Sequence, residues 1–408
     1  MKFSKLSQLF LVSIIGLLVA TLLTSCEITT IDYVFVANSA GSGTASAGQI
    51  QTYDADSETG ALRSGQPNVP SGGVNPIAMA VTADYANLYV VNQASNNVVH
   101  FAISGNGVLT QKDVVTTGNT PVYVAVNTAE TYLYVISGPN PSLLTAYSLS
   151  SGAIGSVAAQ MTLTLPGYPT DTIVPTGVHV LANNIAVYVT AYDQSAYNPG
   201  CTPAPTCADS SANPGWIFGY AAGSGGALAL SAGSPYKAGV KPTAIASDPT
   251  NRFVYATDFA SNELIGYTIQ GGSTLNFLIN GPFKTGNEPG TISIDPRGKY
   301  IYVSNQLDSS VSAYVIDLST GTPSAAVNVT GSSVNATDTE PVALVVDPAL
   351  GRFVYTANFL GNTISGFQLN PNTGALQPTQ ATPYPTGDQP SALAAVPHGN
   401  HSIQTVSP

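Results

Sequence analysis

Charge is what this sequence has least of. Only 33 of its 408 residues are charged, 11 Lys+Arg against 22 Asp+Glu, or 8%, where an ordinary soluble domain has roughly 25%. Six Glu and seven Lys in the whole chain cannot cover the wet faces of helices, which excludes helical bundles and coiled coils. Cysteine is also scarce, with three in the chain, so this is not a disulfide-dense scaffold. A formal charge of −11 argues against a nucleic-acid partner, whose phosphates select a basic face. Charge-driven disorder is excluded by a 44% hydrophobic content and a mean hydropathy of +0.17. What is abundant is Gly (39), Pro (29) and Tyr (21), together with Thr, Ser, Val and Asn, a mixture that suits short strands joined by tight turns. The expected fold class is all-β.

The N-terminus looks like an address. Lys2 and Lys5 precede a mostly apolar stretch over 6–23, and Leu23-Thr24-Ser25-Cys26 follows. A basic start, an apolar core and small residues before a cut site make a secretory signal, which is not part of the fold. The rival is a membrane span, since ~18 apolar-leaning residues could just cross a bilayer. Leu-Thr-Ser-Cys resembles the bacterial lipobox, which implies lipidation of Cys26 and removal of residues 1–25. Residues 26–32 would then be a lipidated linker, and 33–408 the folded body. Glu27, in place of Asp, favours the outer membrane by analogy. The other cysteines, Cys201 and Cys207, stand in Pro-Gly-Cys-Thr-Pro-Ala-Pro-Thr-Cys. Outside the cytoplasm a local disulfide is the favoured expectation; a metal site is the rival, but no second Cys pair or His lies nearby.

The body is a repeat. A Tyr-rich strand recurs at 33–38 (YVFVAN), 87–92 (NLYVVN), 132–137 (YLYVIS), 186–191 (AVYVTA), 253–258 (FVYATD), 300–305 (YIYVSN) and 353–358 (FVYTAN). Each is followed by a strand ending in an aromatic, and most are preceded by a proline-led apolar strand. Those prolines are Pro76, Pro121, Pro175, Pro242, Pro289 and Pro341, with Pro390 after the last unit. Four short strands per ~50 residues, seven times over, is the signature of a β-propeller. The first unit lacks its proline-led strand, and residues 391–396 supply it at the other end. The C-terminal strand should therefore complete the first blade and close the ring, leaving only short protected edges.

The repeat also explains tempting motifs. Asp54-Ala-Asp56-Ser-Glu58 resembles the start of a calcium loop, but it aligns with Asn370-Pro-Asn372-Thr373-Gly374 and reads as a hairpin turn with Gly in the left-handed region. Asp248-Pro249, Asp295-Pro296 and Asp347-Pro348 read as turns between first and second strands, and Arg252, Lys299 and Arg352 after them as solvated turn residues. No metal or cofactor site is expected.

Loops after the first and third strands of a blade share one face; those after the second and fourth share the other. The second face carries Asn38, Asn92, Asp258, Asn305 and Asn358 at the strand ends. It also carries the residues before the prolines, among them Lys241, Glu288 and Glu340 from successive blades. Two insertions, 39–47 and the rim insertion 193–214, land there as well. A polar funnel is inferred, with Asn92, Asp258, Asn305, Asn358 and His179 as ligand-binding candidates and Glu288, Glu340 and Lys241 as catalytic candidates. The Asn and Asp residues have a second possible role, capping turns by bonding backbone groups. His179, four residues past Pro175, is the only histidine placed near the channel; a structural role is its rival assignment. No Gly-x-Ser-x-Gly elbow, phosphate loop or tryptophan docking repeat is present.

The sequence of a proline-led strand, an Asp-Pro turn, a Tyr-Val-Tyr-Val-x-Asn strand and a Thr-Gly-x-Leu turn resembles the lactonase-like seven-bladed propeller family. That group includes 6-phosphogluconolactonase-like and cycloisomerase-like proteins and overlaps with Tyr-Val-Thr-Asn repeat surface proteins. The resemblance covers residues 33 to about 397 and implies the fold firmly. The enzymes' repeats look like Gly-Pro-Arg-His before a first strand ending His-Pro. Here the post-proline residues read Val122-Tyr123, Thr176-Gly177 and Gly290-Thr291, so no catalytic residue is carried over. Two functions are expected. One is a lipid-anchored, monomeric envelope protein binding a sugar, a lactone or a protein partner at the funnel. The other is a hydrolase opening a sugar lactone, with Glu288 or Glu340 as base and Lys241 stabilising the oxyanion.

Overall fold

A computed structural model describes residues 29–39, 47–194, 196 and 214–399. Cys26, Cys201 and Cys207, and with them the lipidation and disulfide expectations, lie outside these residues. Seven antiparallel sheets follow one another around a ring. Their innermost strands are Pro76–Val81, Pro121–Val126, Ile173–Val180, Pro242–Ser247, Pro289–Ile294, Pro341–Val346 and Pro390–Pro397, each packed against the next. The last pairs with Thr30–Asn38, Val36 facing Leu393, so the two chain ends share the first blade as the repeat required. That second strand starts at Thr30, three residues ahead of the repeat, because Asp32 already pairs with Pro397 on one side and Ala55 on the other.

Why Tyr-rich strands form a ring follows from their burial. Both faces of each second strand are covered, so alternate side chains enter different blade seams. Val34 and Val36 join Phe353 and Tyr355 of blade 7, while Phe35 and Ala37 join Leu88 and Val90 of blade 2. The described residues hold seven such apolar clusters, one at each seam. The buried tyrosines add a polar bolt. The Tyr302 hydroxyl donates to the Gly374 carbonyl of the next blade (2.9 Å), and Tyr355 donates to Gly60 across the closure (2.9 Å). Tyr89 and Tyr255 repeat the bond to Gly152 and Gly321. The Thr-Gly turn needs glycine for two reasons. Gly374 has φ +71°, and a Cβ there would lie 2.2 Å from the Tyr300 ring.

The outermost strand is continuous in blades 1–3 (Leu62–Pro70, Leu109–Thr116, Ala153–Thr162). In blades 4–7 it is broken into two short pieces, such as Leu228–Leu230 and Tyr236–Lys237. Proline accounts for several of the breaks, since Pro235, Pro282 and Pro383 stand between the pieces and have no N–H to add to a ladder.

Candidate functional site

At the end of the channel where the prolines stand, the strand-end residues are not ligand-facing. Asn92, Asp258, Asn305 and Asn358 have no exposed surface. Asp258 accepts the backbone N–H groups of Val240 (2.7 Å) and Lys241 (2.9 Å). Asn92 donates to the Ser71 carbonyl and accepts from its hydroxyl. Asn305 donates to Ser310 and Ser312, and Asn358 to Thr363 and Ser365. The ligand-binding expectation for these four is therefore corrected: they hold the turns, because a buried amide or carboxylate must satisfy its polar atoms and the turn backbone is within reach.

The residues before the prolines do reach the rim. Their carbonyls accept the N–H that follows the second strand, as Lys241 from Phe259, Glu288 from Gln306 and Glu340 from Phe359. Proline bars its predecessor from the right-handed helical region, and Glu288 (φ 55°) and Glu340 (φ 60°) adopt the left-handed one, as do Asn75, Thr120 and Gln389. Both glutamates are half-buried.

The Glu288 carboxylate lies within electrostatic reach of Lys241; Glu340 repeats their position one blade further on. The Lys241 ammonium lies 4.5 Å from the Phe259 ring centroid and 5.7 Å from that of Tyr192. Burial lowers its pKa, and the Glu288 carboxylate partly offsets that. Beneath the rim is a cavity of about 220 Å³. Ile77, Tyr123, Leu344 and Leu393 form apolar walls, and Thr176, Thr243, Thr291 and Ser391 bring hydroxyls. Three of these hydroxyls stitch the ring: Thr176 donates to the Pro242 carbonyl, Thr243 to Pro289 and Ser391 to Pro76. Tyr123, whose phenol burial pushes up in pKa and keeps neutral, lines the same space. Tyr123, Tyr192 and Phe259 were not singled out as site residues in the sequence. Their signal was an aromatic two places after an inner-strand proline, at Tyr123, or just after a Tyr-rich segment, at Tyr192 and Phe259.

His179 lies at the other end. It lines a second cavity of about 310 Å³ with Ser247, Thr128 and Asp295, beside the Asp-Pro turns. The expected place at the funnel is thus corrected, because four residues along an inner strand carry the chain most of the way through the ring. The Asp-Pro face is otherwise tightly tied. Asp248, Asp295 and Asp347 are fully buried. Each holds its own turn, as Asp248 does through the N–H groups of Arg252 and Phe253, both at 2.7 Å. Asp56 likewise accepts from Glu58 and Thr59 inside its turn.

Comparison with known proteins agrees with this architecture. The family model described as Lactonase, 7-bladed beta-propeller matches residues 28–126 and 229–336, just over half of the chain. No curated protein sequence matches it. The periplasmic gluconolactonase PpgL of Pseudomonas aeruginosa is similar in structure, with a TM-score of 0.72 at 18% identity over 91% of this chain and 100% of that one. A candidate 6-phosphogluconolactonase from Bacteroides uniformis gives 0.71 at 17% identity, covering 90% and 100%. A protein from Lactobacillus plantarum gives 0.68 at 15%, covering 90% and 99%. At such identities the likeness is one of fold, and the family assignment rests on the matched segments together with the seven closed blades. The chain belongs to the lactonase family of seven-bladed β-propellers.

Proposed function

We propose that the protein binds a small sugar or sugar lactone at the proline-side mouth of its channel, and that it does so in the cell envelope, tethered through Cys26. The carrying observation is Lys241, set across Phe259 and Tyr192 and under the influence of the Glu288 carboxylate. Lys241 and Glu288 each stand two residues along the chain from a residue lining the 220 Å³ cavity, Thr243 and Gly290. Aromatic faces suit the C–H face of a sugar ring, while an ammonium and a carboxylate select its hydroxyl or carbonyl oxygens. The cavity is below the roughly 300 Å³ at which drug-sized sites begin, so it suits a single ring. Titration calorimetry of the purified protein with a panel of aldonolactones and their open acids tests this. Saturable binding weakened about tenfold in Lys241→Met supports the proposal. Binding that is absent, or unchanged in both Lys241→Met and Glu288→Gln, overturns it.

A second reading is favoured by family membership and by the Lys241–Glu288 proximity. In it the mouth opens the lactone, Glu288 or Glu340 activating water and Lys241 receiving the developing oxyanion. Ring opening that is lost in Glu288→Gln or Glu340→Gln would establish this reading over binding alone. The tether is tested separately, by whether Cys26→Ser releases the protein from the membrane fraction.

A further inference from the structure

The repeat allows its own blades to be compared column by column. At the fourth place after the inner-strand proline stand Ala80, Ala125, Ala246, Ser293, Val345 and Ala394, but in blade 4 the residue is His179. At the fifth place stand Val81, Val126, Val180, Ile294, Val346 and Ala395, but in blade 5 it is Ser247. Two neighbouring blades thus depart from small or aliphatic residues, and the departures meet. His179 Nε2 lies 2.8 Å from Ser247 Oγ, 68 positions along the sequence. The Ser247 backbone N–H also points at Nε2, at 3.2 Å. Nε2 is therefore the acceptor, the ring proton resides on Nδ1, and the serine hydroxyl donates to the imidazole lone pair. Both side chains are only half-buried and open into the 310 Å³ cavity at the Asp-Pro end. Ala125, Val126, Val180 and Ile294 wall the cavity with apolar surface. A structural filler at these places needs no polar pair, since the other blades fill them with alanine, valine, isoleucine and, once, serine at 293.

We propose that Ser247 and His179 are a nucleophile and its general base, forming an acyl-transfer site for small esters or lactones at the channel end opposite the funnel. Ser247 Oγ adds to the carbonyl carbon as Nε2 takes the hydroxyl proton. The C–O bond to the leaving oxygen then breaks, and that oxygen takes the proton from Nε2. Water, giving its own proton to Nε2, attacks the acyl-serine; Ser247 Oγ departs and recovers the proton, releasing the acid. The base is neutral at physiological pH, because burial lowers the His179 pKa to about 4. Asp295 is the other titratable group lining the cavity, and its carboxylate is held by Arg297 at 2.7 Å.

Treatment of the purified full chain with a fluorophosphonate, then peptide mass spectrometry, reads the nucleophile directly. The expected result is a phosphonyl adduct on Ser247, formed at least roughly 100-fold more slowly in His179→Gln. Its rate should fall as pH drops through about 4. Hydrolysis of p-nitrophenyl acetate should be lost in Ser247→Ala. An unlabelled Ser247, or hydrolysis unchanged in Ser247→Ala, overturns the proposal. So does an adduct whose rate is the same in His179→Gln. Because the adduct is sought on the unaltered protein, a variant that fails to fold does not decide the outcome.

Discussion

The two ends of the channel are built from the same repeat and depart from it in different ways. At the Asp-Pro end, three buried aspartates hold three equivalent turns. At the proline end, Asp258, Asn305 and Asn358 do the same for the turns opposite. Scaffold polarity is therefore alike on both faces. What differs is the residues that break the repeat: Lys241 and Glu288 with their aromatic neighbours at one end, His179 and Ser247 at the other. In a repeat protein the shared columns carry stability and the broken ones are where function is free to appear.

That contrast can be broken most severely at the turn aspartates. Asp258→Ala and Asp248→Ala should each cost about 3 kcal/mol in chemical denaturation, since each leaves several buried N–H groups without an acceptor. A large inequality between them would show that the two faces are not equivalent scaffolds. Next comes the seam itself. Gly374→Ala, at φ +71° and facing the Tyr300 ring at 2.2 Å, should cost about 2 kcal/mol. Tyr302→Phe removes only the hydroxyl bonded to Gly374 and should cost about 1 kcal/mol. Neither change should alter ligand binding at the mouth or Ser247 labelling, whereas Lys241→Met and His179→Gln should do so with smaller effects on the melting temperature.

The smallest effect expected has the opposite sign. Asp32 at the closure seam is fully buried, beside the Asp347 carboxylate and the Ala349 backbone. Burial, then the neighbouring Asp347 carboxylate, push its pKa well above the ordinary value. The folded state therefore holds a proton that the unfolded state has released once pH exceeds about 4. Stability falls as pH rises from there toward the folded pKa. Asp32→Asn should raise the melting temperature at neutral pH and flatten this dependence. A variant that melts lower at pH 7, with the slope unchanged, would contradict the assignment.

Much of the fold was legible because its signals are local and repeated. Alternation in YVYV strands, proline at each inner-strand start and glycine in each Thr-Gly turn follow from backbone sterics and two-sided burial. The candidate site was legible only in part. Lys241 and Glu288 stood out against a sparse background of charge, and the structure sets the Glu288 carboxylate within electrostatic reach of Lys241. Asn92, Asp258, Asn305 and Asn358 stood out equally, yet they face inward. A strand-end amide can turn to solvent or to its own turn, and nothing in its neighbours along the chain says which.

The sequence by itself determined the number of blades, the strand that closes the ring and the residue types at each seam. It did so because each blade repeats the same short-range pattern and the ends are complementary. Only the tertiary structure decided that Phe259 and Tyr192 flank Lys241 and that Ser247 meets His179 from 68 residues away. Those meetings depend on how far each inner strand travels through the ring and on which blade lies beside it. Both are consequences of ring closure, and no single repeat encodes them.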